Sequence, residues 1–137
     1  MMALNVYLHF NGNCREVFEF YRSVFGGDFD SFSTFGEMPD EVGMTEEEKD
    51  GVLHVSYDIG GTALMGSDVP SAFGPPVEMG NNFAISYQAE SREQTERLFN
   101  RISEGGKVTM PLGDTFWGAY FGACTDRFGI NWMFNYQ

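Results

Sequence analysis

Few side chains in this sequence have the chemistry for catalysis or metal binding. The chain has two histidines, His9 and His54, and two cysteines, Cys14 and Cys124. The cysteines form no CxxC pair and have no zinc-cluster spacing with the histidines, so we expect free thiols in a reducing compartment and predict a cytoplasmic protein. No basic residue adjoins Cys124, so we expect it to be unreactive as a nucleophile.

His54 is the candidate catalytic residue. It lies in a predicted strand, residues 52–59, whose odd-numbered positions from 53 to 59 are all apolar and should lie beneath a helix. His54 and Ser56 would then lie on the opposite face, where an imidazole with a proton partner can act as a general acid or base. A hydrogen-bonded structural histidine is the alternative. We expect His9 to lie on the helix side and to be structural.

The charge of the chain limits its partners. Eight Lys and Arg residues against 20 Asp and Glu residues give a net charge of -12, which disfavours nucleic acid and anionic membrane surfaces. Much of the acidic excess lies in residues 37–50. That segment is either a solvated acidic loop or an electrostatic attractant for a cationic ligand. No apolar run is long enough for a transmembrane helix or a signal peptide.

The hydrophobic periodicity predicts a repeated β-α-β-β-β module in a single domain of 137 residues. Module one spans residues 1–68, a Pro- and Gly-containing linker spans 69–80, and module two spans 81–137. Glycine pairs at 26–27 and 105–106 should end the two helices. The predicted helices span residues 13–25 and 91–104, and Phe20 and Phe25 should lie on the core face of the first helix. The predicted strands span residues 5–10, 28–35, 52–59, 62–67, 82–88, 107–112, 117–125 and 130–136.

Short motifs at characteristic spacing run through nearly the whole chain. They are YLxFxGNC (7–14), FGEMP (35–39), LMxSD (64–68), TFWG (115–118), TDxFG (125–129) and WMxN (132–135), together with His54. The order of these motifs, together with the repeated module, resembles that of the vicinal oxygen chelate superfamily. This superfamily includes glyoxalase I, extradiol dioxygenases and bleomycin resistance proteins. The closest resemblance is to its PhnB-like group.

The resemblance implies an α+β fold in which the two modules form a rolled, mostly antiparallel eight-stranded sheet with a concave cleft. Superfamily enzymes hold one divalent metal there, on His, Glu or Gln side chains of the first and fourth strands of each module. These positions fall at Val6, Met65, Asn82 and Met133, none of which is a usual ligand for such a metal. We therefore predict no metal and no cofactor. A one-residue shift along the first strand would bring His9 into the cleft, but a single histidine does not form a metal site.

The predicted cleft combines apolar residues with a few polar groups, as small-molecule sites commonly do. Alternation and module matching place Val6, Leu8, Phe10, Asn131 and Cys124 on the cleft face. Trp117, with Phe116, either stacks on a ligand or closes the core. The predicted ligand-binding residues are His54, Ser56, Met65, Ser67, Asn82, Ser86, Trp117, Tyr120 and Met133.

Three functions fit these features. The first is a metal-free binding module for a small cationic or aromatic molecule, which the acidic excess and the missing ligands favour. The second is a metal-dependent lyase, isomerase or dioxygenase of the superfamily, and the third is acid-base catalysis through His54. Some PhnB-like proteins carry a methyltransferase-like label. This sequence lacks a glycine-rich nucleotide loop after its first strand, so we do not expect it to transfer methyl groups. We expect a homodimer.

Overall fold

The computed structural model describes residues 3–39 and 43–137. The chain divides between Glu78 and Met79 into two compact units. Each unit has one four-stranded sheet and one helix of 12 residues. The predicted α+β fold of two βαβββ modules is confirmed, and its eight strands form two four-stranded sheets.

The first unit contains four strands, a long helix and a short one. Its elements are β1 (Val6–Phe10), α1 (Cys14–Phe25), β2 (Ser31–Thr34), α2 (Glu46–Lys49), β3 (Val52–Ile59) and β4 (Thr62–Asp68). The strand order is β1-β4-β3-β2. β1 runs parallel to β4, and the other pairs are antiparallel.

The second unit repeats this topology. Its elements are β5 (Ile85–Gln88), α3 (Arg92–Ser103), β6 (Lys107–Asp114), β7 (Tyr120–Thr125) and β8 (Asn131–Tyr136). The strand order is β5-β8-β7-β6, with β5 parallel to β8. In the described part of the chain, no helix is both long enough and apolar enough to cross a membrane.

The helix α1 buries a stripe that differs from the predicted one. Cys14, Val17, Phe18, Tyr21 and Val24 are buried, at the three- and four-residue spacing of one helical face. The predicted core positions Phe20 and Phe25 are only partly buried. The stripe passes through Phe18 because its ring lies directly over β4. A Cβ atom added to Gly66 of β4 would lie 2.6 Å from Phe18 Cε1.

Contact with Phe18 defines the two faces of the first sheet. Gly66 pairs with Leu8 and with Val55, so these residues share the face beneath α1, and both are buried. The opposite face, here called the helix-distal face of the first sheet, follows from the alternation of side chains along each strand. It carries Tyr7, His9, His54, Ser56, Met65 and Ser67.

The predicted orientation of β1 was wrong. Val6, Leu8 and Phe10 were expected to face away from the helix and His9 towards it, but Leu8 and Phe10 are 4% and 2% exposed in the core. The strand alternates apolar residues with Tyr7 and His9. Its apolar side must lie under α1, because burying apolar side chains stabilises the fold.

Tyr120 and Cys124 of β7 were also predicted on the wrong face of their sheet. Tyr120, Gly122 and Cys124 lie on the side of α3, because a Cβ atom on Gly122 would lie 2.9 Å from Phe99 Cε1 of that helix. Arg92 of α3 lies 3.8 Å over the Tyr120 ring. Matching the modules residue by residue placed β7 one position out of phase, and a one-position shift exchanges the faces of a strand.

Candidate functional site

Five side chains with hydrogen-bonding or soft chemistry converge on the helix-distal face of the first sheet. The strand register puts Tyr7 beside Met65, His9 beside Ser67, and Met65 beside Ser56. Because paired residues project from the same face, these side chains form one group with His54. We call Tyr7, His9, His54, Met65 and Ser67 the distal cluster.

A phenol and an imidazole form the polar centre of the distal cluster. The hydroxyl of Tyr7 lies 3.0 Å from Nδ1 of His54, across 47 residues of chain. Tyr7 is 41% exposed and His54 is half-buried. The pair is therefore accessible to a ligand, and the tautomer of His54 decides which of the two groups donates in this hydrogen bond.

The second imidazole continues the cluster along β1. The Tyr7 ring lies 5.1 Å from the His9 ring and 5.6 Å from the His54 ring, centroid to centroid. His9 Nδ1 lies 3.4 Å from Oγ of Ser67, which is 8% exposed. Three rings with adjacent hydroxyl groups present both flat aromatic surface and hydrogen-bonding atoms, which suits an aromatic ligand.

The second unit has a helix-distal face of different chemistry. It carries Ser86 paired with Met133 and Gln88 paired with Asn135. The Asn135 amide donates to Gln88 Oε1 at 2.8 Å. Ser86 and Met133 therefore lie on the predicted face, but this face has no imidazole.

The remaining predicted site residues lie elsewhere. Asn82 precedes β5 and is exposed, and Trp117 lies in the turn before β7 with 54% of its surface exposed. Its ring packs edge-on against Phe116 at 5.0 Å, so neither ring closes the core. Tyr120 faces α3. The structure brings together His54, Ser56, Met65 and Ser67 on the first sheet, and Ser86 with Met133 on the second.

Sequence reasoning missed Tyr7 and His9 as members of the cluster. The signal was present in the alternation of VYLHF, where a strict period-two interpretation puts Leu8 and Phe10 in the core. We instead took Val6 as the cleft-facing position of the first strand, because of the family resemblance, and so set this alternation aside. The Tyr7 to His54 hydrogen bond was not predictable, because it depends on the spatial proximity of β1 and β3.

The strand positions that hold the superfamily's metal carry few suitable donors. With β1 reoriented, the helix-distal residues of the first and last strands are Tyr7, His9, Met65 and Ser67 in the first unit. In the second unit they are Ser86, Gln88, Met133 and Asn135. Of these eight residues, His9 and Gln88 belong to the types that superfamily enzymes use as ligands, and the Gln88 side chain already accepts a hydrogen bond from Asn135. The other six supply no imidazole and no carboxylate, and the two thioethers are poor ligands for such a divalent ion. Residues 3–39 and 43–137 contain no group of three His, Cys, Asp or Glu residues that could hold a metal.

Both cysteine thiols are buried beside an aspartate. Burial, with a smaller effect of Asp68, raises the pKa of Cys14 far above its usual value. Burial, with a smaller effect of Asp126, raises the pKa of Cys124 to about 12. A protonated thiol is a poor nucleophile. Neither cysteine therefore has the ionisation state of a catalytic residue.

The fold and nearly the whole length of the chain match known proteins. A family model described as the glyoxalase/bleomycin resistance protein/dioxygenase superfamily matches residues 3–134. The chain belongs to this superfamily. Protein YjdN of Escherichia coli strain K12 is 32% identical to it over 143 residues, and the match covers 98% of this chain and 95% of YjdN.

Solved structures of the superfamily fold extend the comparison. The crystal structure of protein PA1353 from Pseudomonas aeruginosa is 42% identical, with a TM-score of 0.83 and 98% of each chain covered. A Bacillus cereus PhnB protein, described as a putative 3-demethylubiquinone-9 3-methyltransferase, is 23% identical with a TM-score of 0.79, covering 99% of this chain and 100% of its own. At this identity the likeness shows the fold alone.

Proposed function

We propose that this superfamily member binds a small neutral or weakly polar aromatic molecule at the distal cluster, without the divalent metal of the superfamily enzymes. The hydrogen bond between Tyr7 and His54 carries the proposal. It places a polar anchor beside the His9 ring, the Met65 thioether and the Ser67 hydroxyl. Few convergent polar groups on an apolar surface are the usual composition of a small-molecule site.

The ring geometry supports an aromatic ligand. The Tyr7 ring is tilted by 35° to His9 and by 33° to His54, and Tyr7 remains exposed. An aromatic ring stacks on such a surface, and a thioether sulfur adds favourable contact with ring edges. The Tyr7 hydroxyl and the His54 imidazole would orient a carbonyl or hydroxyl group of the ligand.

Binding of neutral aromatic fragments that carry a carbonyl or hydroxyl group tests this function. The protein is treated with a chelator, and fragment contacts are mapped by amide chemical shifts in NMR. We expect the shifted amides to lie around residues 7–9, His54 and Ser67. Tyr7→Phe, which keeps the ring and removes the hydroxyl, should weaken binding by about tenfold, equivalent to about 1.4 kcal/mol.

Ser86→Ala is the matched control, because it removes a hydroxyl from the helix-distal face of the other sheet. It should leave fragment affinity unchanged. Binding that appears only after Zn²⁺, Mn²⁺, Ni²⁺ or Fe²⁺ is added would instead establish the metal-dependent function and refute the proposal.

The same phenol and imidazole pair supports a second function, proton transfer at a carbon next to a carbonyl group. His54 would act as the general base, and the hydrogen bond to Tyr7 would fix the orientation of its ring. Deuterium exchange from solvent into bound aromatic ketones, followed by NMR, tests this function. His54→Gln should abolish the exchange, whereas an unchanged exchange rate would exclude His54 as the base.

A further inference from the structure

A groove of about 710 Å³ lies in the first unit and is distinct in its lining from the distal cluster. It is formed where β1 and β4 end, beside the first turn of α1 and against α2. Its lining comes from residues 11–16, Phe35, 47–51 and 68–76, and it shares no residue with the distal cluster. Its volume lies within the range of small-molecule sites.

One wall of the groove is apolar. Phe35 is 2% exposed and packs edge-on against Phe73 at 5.5 Å. Val69, Pro70 and Pro76 continue this wall. The rigid proline rings and the fixed Phe35 ring form a preorganised surface for an apolar group, so a ligand would not have to order this wall on binding.

The polar lining is strongly acidic. Among the described residues that line the groove are five carboxylates and one guanidinium. The guanidinium of Arg15 donates to the backbone oxygen of Asp50 at 3.2 Å and lies 4.8 Å over the Phe32 ring. This arginine is thus engaged by the protein itself.

Two of the five carboxylates maintain the shape of the groove. Asp68 accepts backbone N–H groups from Gly12, Cys14 and Val52. Glu48 accepts the N–H and hydroxyl of Ser71 at 2.7 Å each. These bonds tie α1, α2 and the segment after β4 together, and they leave the exposed carboxylates of Glu16, Glu47 and Asp50 at the surface of the groove.

We propose that this groove binds a small organic cation, a protonated amine carried on an apolar body. The ammonium group would pair with a carboxylate of Glu16, Glu47 or Asp50 at the surface of the groove, and the apolar body would lie against Phe35, Pro70 and Pro76. A compact metal ion fits less well, because no three acidic side chains of the described chain are close enough to ligate one. The net charge of -12 adds a long-range attraction for cations.

Two indole compounds of nearly equal size test the proposal. Tryptamine carries an ammonium group at neutral pH, and tryptophol carries a hydroxyl group on the same two-carbon chain. We expect tryptamine to bind at least about tenfold more tightly in calorimetry. This preference should shrink as salt is raised from about 50 mM to about 500 mM, because exposed carboxylates are screened.

Two charge-matched triple variants locate the site. Glu16→Gln with Glu47→Gln and Asp50→Asn should remove the preference for tryptamine. The control, Glu90→Gln with Glu93→Gln and Glu104→Gln, changes the net charge equally in the second unit and should retain it. Amide chemical shifts should cluster in residues 11–16, 47–51 and 68–76. All substituted side chains are exposed, and retained spectra will confirm folding.

Three outcomes would overturn the proposal: equal affinity for the two compounds, equal loss in both triple variants, or tryptamine-induced shifts confined to the distal cluster. The proposal does not depend on the function of that cluster. Binding of neutral fragments tests the distal cluster, and the preference for tryptamine over tryptophol tests the groove. Either proposal can therefore be refuted without the other.

Discussion

The carboxylate of Asp68 bonds the backbone N–H of Val52 at 2.8 Å through Oδ2, while its Oδ1 accepts the N–H groups of Gly12 and Cys14 at 2.9 Å each. One side chain at the end of β4 thereby fixes the beginnings of β3 and α1. Asp68 is 5% exposed, so these bonds form largely out of water, where an unmade bond is costly.

Asp68→Asn should destabilise the first unit by about 3 kcal/mol, because an amide supplies one acceptor oxygen and turns an N–H₂ group towards a backbone donor. Chemical denaturation measures the decrease in the free energy of unfolding. Asp30→Asn, at an exposed position of the same unit, is the control and should change stability by less than about 0.5 kcal/mol. Equal stabilities of the two variants would contradict the assigned role.

Gly66→Ala should lower stability by about 1–3 kcal/mol, because overpacking forces neighbouring groups apart. The added Cβ atom would lie 2.6 Å from Phe18 Cε1. The control is Gly113→Ala in β6, where a Cβ atom has no neighbour within 4 Å. Thermal unfolding of both variants provides the measurement, and an undiminished Tm for Gly66→Ala would show that α1 does not pack this closely.

Glu48 should make the folded state sensitive to acid. Hydrogen bonds from the Thr45 and Ser71 backbones lower the pKa of Glu48 from 4.5 to about 2. A carboxyl group whose pKa falls on folding stabilises the protein above its unfolded pKa, and that contribution disappears as the pH falls from about 4.5 towards 2. Glu48→Gln should therefore lower Tm at neutral pH and flatten its decline over this acidic range.

Glu47→Gln is the matched control for Glu48, since the two residues are adjacent on α2 and Glu47 is exposed. It should leave the acid dependence of Tm intact. An acid dependence that is the same in Glu48→Gln as in the unmodified protein would exclude this carboxylate as its source.

Neither thiol should react with Ellman's reagent in the folded protein at mildly alkaline pH. Both are buried, and burial keeps their pKa values well above the ordinary thiol value. In denaturant both should react, giving two thiols per chain. A rapid reaction of one thiol in the folded state would show that its region opens locally.

The sequence predicted the elements of the fold far better than their faces. The bounds of β3 agree with the prediction, and the glycine after each predicted helix lies where the helix ends. Hydrophobic period and glycine position are local signals. By contrast, the first predicted strand of module two begins at Ile85 rather than at Asn82, because pairing with β8 sets where it starts.

The candidate site was half predictable for a related reason. His54 follows from alternation within its own strand, and Met65 follows from the fourth-strand position that the family resemblance gave. Both lie in the distal cluster. Tyr7 and His9 were assigned to the wrong side of β1 because the family resemblance put the cleft-facing position of the first strand at Val6. The groove was not predicted at all, because its lining comes from four segments that only the tertiary structure brings together.

The separation of the two faces of β1 has a consequence for the history of such proteins. Leu8 and Phe10 serve the core, whereas Tyr7 and His9 project from the opposite face of the sheet and are exposed. Substitutions at the projecting positions therefore leave folding largely intact while changing the chemistry presented to a ligand. Descendants of one ancestral sheet can exchange imidazoles, phenols and thioethers at these positions and acquire new specificities without first acquiring a new scaffold.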